Sequence, residues 1–170
     1  MQIKQLVPSN ICLDCDVCCR FTESKSPWSP FFTKKEITNL VEKDILPPML
    51  FSGHSYQGEH INLLEYKGCF ICPCFTPGDH NCKIYLNRPF ECVLYPFILI
   101  KSKNKFYLAM DKKCPYFTQV KKEELDDYID YLKKEFSKKT AEDYFKENVE
   151  LFAEYPLQDL EILFPICIHE

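Results

Sequence analysis

Hydrophobic positions repeat with a recognisable period in only a few stretches of this 170-residue chain. Ile37, Leu40 and Val41 recur at helical spacing behind Thr33, and Glu36 sits where a capping box needs it. A helix is therefore predicted from Thr33 onward, ended by Pro47-Pro48. Residues 61–66 (INLLEY) and 69–71 read as short strands. Residues 97–101 and 105–110 alternate around Ser102-Lys103-Asn104, the pattern of a hairpin. Farther on, Leu125, Tyr128, Ile129, Leu132 and Phe136 share one face of a helix predicted over 121–137. Its acids fall in the first turn and its lysines in the last, as the helix dipole favours. Thr140 is placed to cap a second helix, with Ala141, Tyr144, Phe145, Val149 and Phe152 on its inner face and Pro156 as its stop. These elements predict an α+β fold with short strands, a hairpin and a C-terminal pair of antiparallel helices.

Composition narrows the picture. With 46% hydrophobic and 27% charged residues the chain should fold around a core, and its length suits one domain with a helical appendage. A net charge of −4 lacks the basic face that nucleic acid requires. The four glycines are isolated, so the glycine-rich phosphate cradles are absent. Residues 1–8 show no signal-peptide pattern, and the longest apolar run, Cys92 to Ile100 around Pro96, is too short to span a bilayer. A cytoplasmic protein with no membrane partner is expected.

In that compartment thiols stay reduced, and an odd 11 cysteines point to metal rather than disulfides. They cluster as Cys12, Cys15, Cys18 and Cys19, then Cys69, Cys72 and Cys74, then Cys82 and Cys92, then Cys114, with Cys167 apart. The organisation predicted is a cysteine-rich domain over residues 1–118, nucleated by metal, and a helical extension over 119–170 packed on it. Cys12-x2-Cys15-x2-Cys18 can wrap one face of a [4Fe–4S] cluster, and Cys72-Pro73 and Cys114-Pro115 resemble the Cys-Pro that supplies a remote ligand. The same knuckle, joined to distant cysteines, can also make a tetrahedral zinc site. An iron–sulfur cluster leads and zinc follows. Adjacent side chains at Cys18 and Cys19 should diverge, turning Cys19 toward a second site or into the packing.

The only arginines, Arg20 and Arg88, both lie inside cysteine segments, where a guanidinium could offset thiolate charge and hydrogen-bond sulfur. Among His54, His60, His80 and His169, His80 is the best nitrogen donor, being two residues from Cys82. No Ser/His/Asp set or catalytic carboxylate pair stands out.

The segment Cys12-x2-Cys15-x2-Cys18-Cys19-Arg20, then Cys72-Pro73, then Cys82-Lys83-Ile84-Tyr85-x2-Arg88-Pro89-x2-Cys92-x2-Tyr95-Pro96-Phe97, and Cys114-Pro115 resembles the YkgJ-type CxxCxxCC family of zinc- or iron-chelating domains. The resemblance implies eight metal-chelating cysteines: Cys12, Cys15, Cys18, Cys19, Cys72, Cys82, Cys92 and Cys114. At the fifth position this chain reads Cys72-Pro73-Cys74-Phe75, so Cys72 or Cys74 could serve, and Pro73 favours Cys72. Cys69 and Cys167 are extra. A flagellin lysine N-methylase shares the motif, which keeps a cluster-dependent, protein- or peptide-modifying enzyme among the alternatives. In such an enzyme the substrate would meet Trp28 in the Ser26-Pro27-Trp28-Ser29-Pro30 loop, against the simpler reading of a structural Trp. The leading expectation is a metal- or cluster-binding carrier, electron-transfer or accessory module. A zinc-stapled module that binds a protein partner is the third.

Overall fold

The computed structural model describes residues 1–52 and 58–168. The fold is α+β, and its contacts divide it into two compact units, Pro8–Val93 and Met1–Val7 with Leu94–Glu170.

The Pro8–Val93 unit is built from short pieces. In chain order they are α1 (Ser9–Leu13), β1 (Arg20–Phe21), β2 (Phe31–Phe32), α2 (Lys34–Glu42), β3 (Glu59–His60), β4 (Leu64–Tyr66), β5 (Cys69–Ile71), β6 (Phe75–Thr76) and β7 (Asn81–Cys82); α3 (Phe90–Leu94) ends at the boundary. The strands make a small antiparallel sheet in the order β1-β5-β4 and two isolated pairs, β2-β3 and β6-β7. Phe32, Ile37, Leu40, Ile61, Phe75 and Ile84 bury themselves at the centre together with Cys72 and Cys74, and Trp28 packs against them, partly buried.

The predicted capping box is present: Thr33 Oγ1 accepts from Glu36 N, and the Glu36 carboxylate accepts from Thr33 N at 2.8 Å. The helix does not run to Pro47. Asp44 turns left-handed at φ +53, its N–H reaches Val41 O, and Ile45 N–H reaches Leu40 O at 2.9 Å. These bonds form a Schellman motif, which satisfies the last carbonyls and ends α2 at Glu42 before the prolines act.

The other unit carries the longer elements: β8 (Phe97–Ser102), β9 (Lys105–Asp111), α4 (Lys122–Phe136), α5 (Lys139–Glu147) and β10 (Leu160–Ile166), with antiparallel strand order β10-β9-β8. Lys103 and Asn104 both have positive φ, as a tight two-residue hairpin turn requires, and Ser102 pairs with Lys105. Aromatic rings pack the unit together: Phe97 of β8 stacks on Tyr128 of α4 at 5.3 Å, Phe136 of α4 meets Phe145 of α5 at 5.1 Å, and Phe145 meets Phe152 at 5.4 Å. In α4 the buried residues are Tyr128, Leu132 and Phe136, with Glu123 and Glu124 in its first turn and Lys133 and Lys134 in its last. Thr140 does not cap α5, whose N-cap is Lys138, two residues earlier. The helix ends at Asn148, whose side chain donates to Tyr144 O, rather than at Pro156.

Among the described residues no helix is long and apolar enough to cross a membrane.

Candidate metal centre

Three loop segments and one helix of the Pro8–Val93 unit bring its cysteines together. The first segment starts at α1, where Cys12 N–H bonds Pro8 O at 2.9 Å, and Cys15 N–H then turns back on Cys12 O at 3.3 Å. A 3-10 turn over Val17–Cys19 follows, closed by Cys19 N–H to Asp16 O at 3.0 Å. Successive tight turns therefore give the three-residue spacing its physical meaning, because each advances the chain by one cysteine without extending it.

The second segment is a turn at Cys72-Pro73-Cys74-Phe75, closed by Phe75 N–H to Cys72 O at 2.9 Å. It is tied to the first by Cys72 N–H donating to Cys19 O at 3.0 Å, just beyond the β1-β5 pairing of Arg20 with Ile71. The third is the β6-β7 hairpin, which pairs Phe75 with Cys82 and sends Lys83 N–H to Cys74 O at 2.8 Å. Cys92 rides on α3. Two carboxylates fix that helix: Glu36 Oε1 accepts from Phe90 N at 2.7 Å, and Glu91 Oε2 accepts from Phe31 N at 2.6 Å.

All described cysteines are free thiols, and eight of them, now including Cys74, act on one another electrostatically. Burial raises the Cys12 thiol, and the nearby Cys18 and Cys15 raise it further, against the pull of Arg88 and a hydrogen bond from Tyr85. Cys82 is raised by burial and by Cys72 and Cys12, again with Arg88 opposing. The sulfur of Cys92 lies deep although the residue is only half-buried overall, and burial drives its thiol well up, with Cys72 and Cys18 adding to the effect.

Two pairs are joined by a thiol–thiol hydrogen bond. Cys19 is raised chiefly by its hydrogen bond to Cys18, and Cys74 chiefly by its bond to Cys72, whose own thiol is lowered by accepting it. The Cys18 and Cys19 thiols, expected to diverge, instead lie within hydrogen-bonding reach of each other. Of the two cysteines at the fifth position, both are buried, Cys74 at 1% exposure and Cys72 at 6%.

The arginines separate. Arg88 Nη1 lies 3.7 Å from Cys12 Sγ, with its guanidinium over the Tyr85 ring at 3.6 Å and its Nε bonded to Tyr85 O. Arg20 pairs with Asp16 and approaches Cys69 Sγ at 4.0 Å, between the rings of Phe75 and Tyr66. Cys69 donates to Tyr66 O at 3.0 Å. Cys114 is buried in the other unit, and Cys167 is exposed there. His60 commits Nδ1 to Ser29 O at 2.6 Å. His54 and His169 fall outside the described residues.

Tyr85 and Glu36 are participants the sequence reading did not single out. The i, i+3 spacing of Tyr85 and Arg88 was a signal for the first. The second was visible only as a helix cap.

Among the described residues no three Cys, His, Asp or Glu side chains stand as ligands of a single ion. The fit to metal lies in the donors themselves. Partly or fully buried thiols, hydrogen-bonded in pairs, are costly to ionise without a cation, and a metal held by them would take the place of their protons.

Residues 11–115 match the CxxCxxCC family, described as a putative zinc- or iron-chelating domain. No curated protein and no solved structure matches the chain.

Proposed function

The chain belongs to the CxxCxxCC family of metal-chelating domains, and from that premise we propose that it binds an iron–sulfur cluster through cysteines of its Pro8–Val93 unit. The donors are drawn from Cys12, Cys15, Cys18, Cys19, Cys72, Cys74, Cys82 and Cys92. The observation that supports this reading is the set of backbone bonds that joins their segments, Cys72 N–H to Cys19 O at 3.0 Å and Lys83 N–H to Cys74 O at 2.8 Å, with the helix of Cys92 tied to Glu36 through Phe90 N. Cys114, which the family resemblance also implies as a ligand, belongs to the other unit.

Such a cluster supplies one-electron chemistry. The chain's own part is to hold it, to exclude water from its sulfurs with Phe75, Ile84 and Ile71, and to balance its charge. Arg88 does the last, since a guanidinium stays ionised and can donate to sulfur at Cys12. Arg20, at Cys69, adds positive charge at the margin. The role is that of a carrier, electron-transfer or accessory module with no catalysis of its own, in a cytoplasmic setting.

Protein purified without oxygen should contain iron and acid-labile sulfide in matching amounts, with a broad absorption band near roughly 400 nm. Zinc without sulfide or colour would replace the cluster with closed structural sites, and the search would move to protein partners.

A further inference from the structure

His80 closes the loop between β6 and β7, and its Nδ1 is the one buried side-chain nitrogen or oxygen among the described residues with no hydrogen-bond partner. An imidazole nitrogen withdrawn from water needs a proton donor, a proton acceptor or a metal. His60 shows the ordinary outcome, with Nδ1 bonded to Ser29 O at 2.6 Å. His80 instead sets its ring edge-on against Phe75, at 6.1 Å between centroids, and a phenyl ring offers Nδ1 no conventional partner.

The position of that ring is informative. Phe75 is the register partner of Cys82, two residues beyond His80, and the same hairpin is prolonged by the bond from Lys83 N–H to Cys74 O. His80 and Cys82 therefore belong to one short hairpin, which the Lys83–Cys74 bond extends to Cys74. His80 is also held at φ +49, a left-handed conformation uncommon outside glycine, which turns the chain so that its ring returns over Phe75.

We propose that His80 is a nitrogen ligand of the metal centre, binding through Nδ1 beside Cys82 and Cys74. This rests on the reading that the Pro8–Val93 unit binds metal, and it adds that the donor set is mixed sulfur and nitrogen rather than all thiolate. His80 is then what this chain uses where a thiol would otherwise complete the shell. Imidazole is a common ligand for both zinc and iron.

The test uses the full-length protein with whatever metal it carries on purification, wild type against His80→Phe, which keeps a ring against Phe75 but removes the nitrogen. If the metal is zinc, X-ray absorption of the wild type should show a nitrogen scatterer at about 2.0–2.1 Å beside sulfur at about 2.3 Å. The nitrogen shell should vanish in His80→Phe. If it is an iron–sulfur cluster, pulsed paramagnetic resonance of the reduced protein should show a strong nitrogen coupling that the variant loses. Its reduction potential should also fall on replacing imidazole by thiolate in His80→Cys, as histidine ligation raises potentials.

An all-sulfur shell in the wild type, or a nitrogen signal that persists in His80→Phe, overturns the inference while metal binding stands. A wild type with no metal overturns both. Should His80→Phe not fold, the wild-type shell and His80→Cys still decide the matter.

Discussion

The two units bury their interiors by different means. In the sheet-and-helix unit, strands of 6 and 7 residues and a 15-residue helix enclose a core of aromatic and aliphatic side chains, with Phe97, Ile100, Leu108, Leu132 and Phe145 all at 0% exposure. In the Pro8–Val93 unit no strand exceeds 3 residues among the described ones, and two cysteines sit in the core itself. A strand pair that short cannot stabilise itself, since isolated hairpins are marginal in water. The difference teaches where each unit gets its stability. One relies on apolar area and regular hydrogen bonding, whereas the other is a set of thiol-bearing turns, to whose folding free energy the proposed metal would contribute directly.

Removing the metal should break this comparison most visibly. Apparent binding energies of structural zinc in small domains run to about 10–16 kcal/mol, as much as a whole domain's stability of about 5–15 kcal/mol. Chelation is therefore expected to abolish amide exchange protection across residues 12–92 while protection in β8, β9 and β10 persists. Hydrogen exchange with and without chelator measures this. An unchanged pattern in the Pro8–Val93 unit would mean that its thiols merely pack, and that the contrast between the units is one of shape only.

The complementary perturbation acts on the other unit. Leu132 is fully buried under α4, so Leu132→Ala should leave a cavity and cost about 2–5 kcal/mol. Chemical denaturation followed with metal analysis should show lowered stability of the sheet-and-helix unit and unaltered metal content. A loss of metal in step with stability would show that the two units do not keep separate accounts of their folding.

What could be read in the sequence follows the same divide between local and long-range causes. The Thr33/Glu36 box, the Lys103-Asn104 turn and the dipole-matched charges of α4 are local signals, and each is found where the pattern put it. The spacing Cys12-x2-Cys15-x2-Cys18 was read as a ligand pattern, and the structure adds its local turns, Cys15 N–H to Cys12 O and Cys19 N–H to Asp16 O. β10 was not legible. Its alternation is broken by a register shift between Ile162 and Phe164, and Pro165 argues against a strand unless that strand lies at an edge, as β10 does beside β9. The end of α2 was misread because Asp44 adopts a left-handed turn that aspartate can take but does not announce. In the sequence, Pro73 favoured Cys72 over Cys74. Only the folded turn brings Cys74 to Cys72, Cys82 and Cys92.

The smallest effect sharpens the comparison within the Pro8–Val93 unit. Glu36 divides its carboxylate: one oxygen accepts from Thr33 N and Oγ1, each at 2.8 Å, and the other accepts from Phe90 N at 2.7 Å, at the start of the helix that carries Cys92. Thr33→Ala removes only the cap's side chain and should cost about 1 kcal/mol, lowering the denaturation midpoint of the loaded protein slightly with metal content intact. Glu36→Gln also disturbs the anchor of α3, because its neutral amide can present only one oxygen to backbone donors that now share a carboxylate. Its cost should exceed that of Thr33→Ala, and it should speed metal loss to a competing chelator, which Thr33→Ala should not. Equal rates of metal loss in the two variants would mean that α3 is held by its cysteine and its packing alone, and that the capping box serves α2 and nothing beyond it.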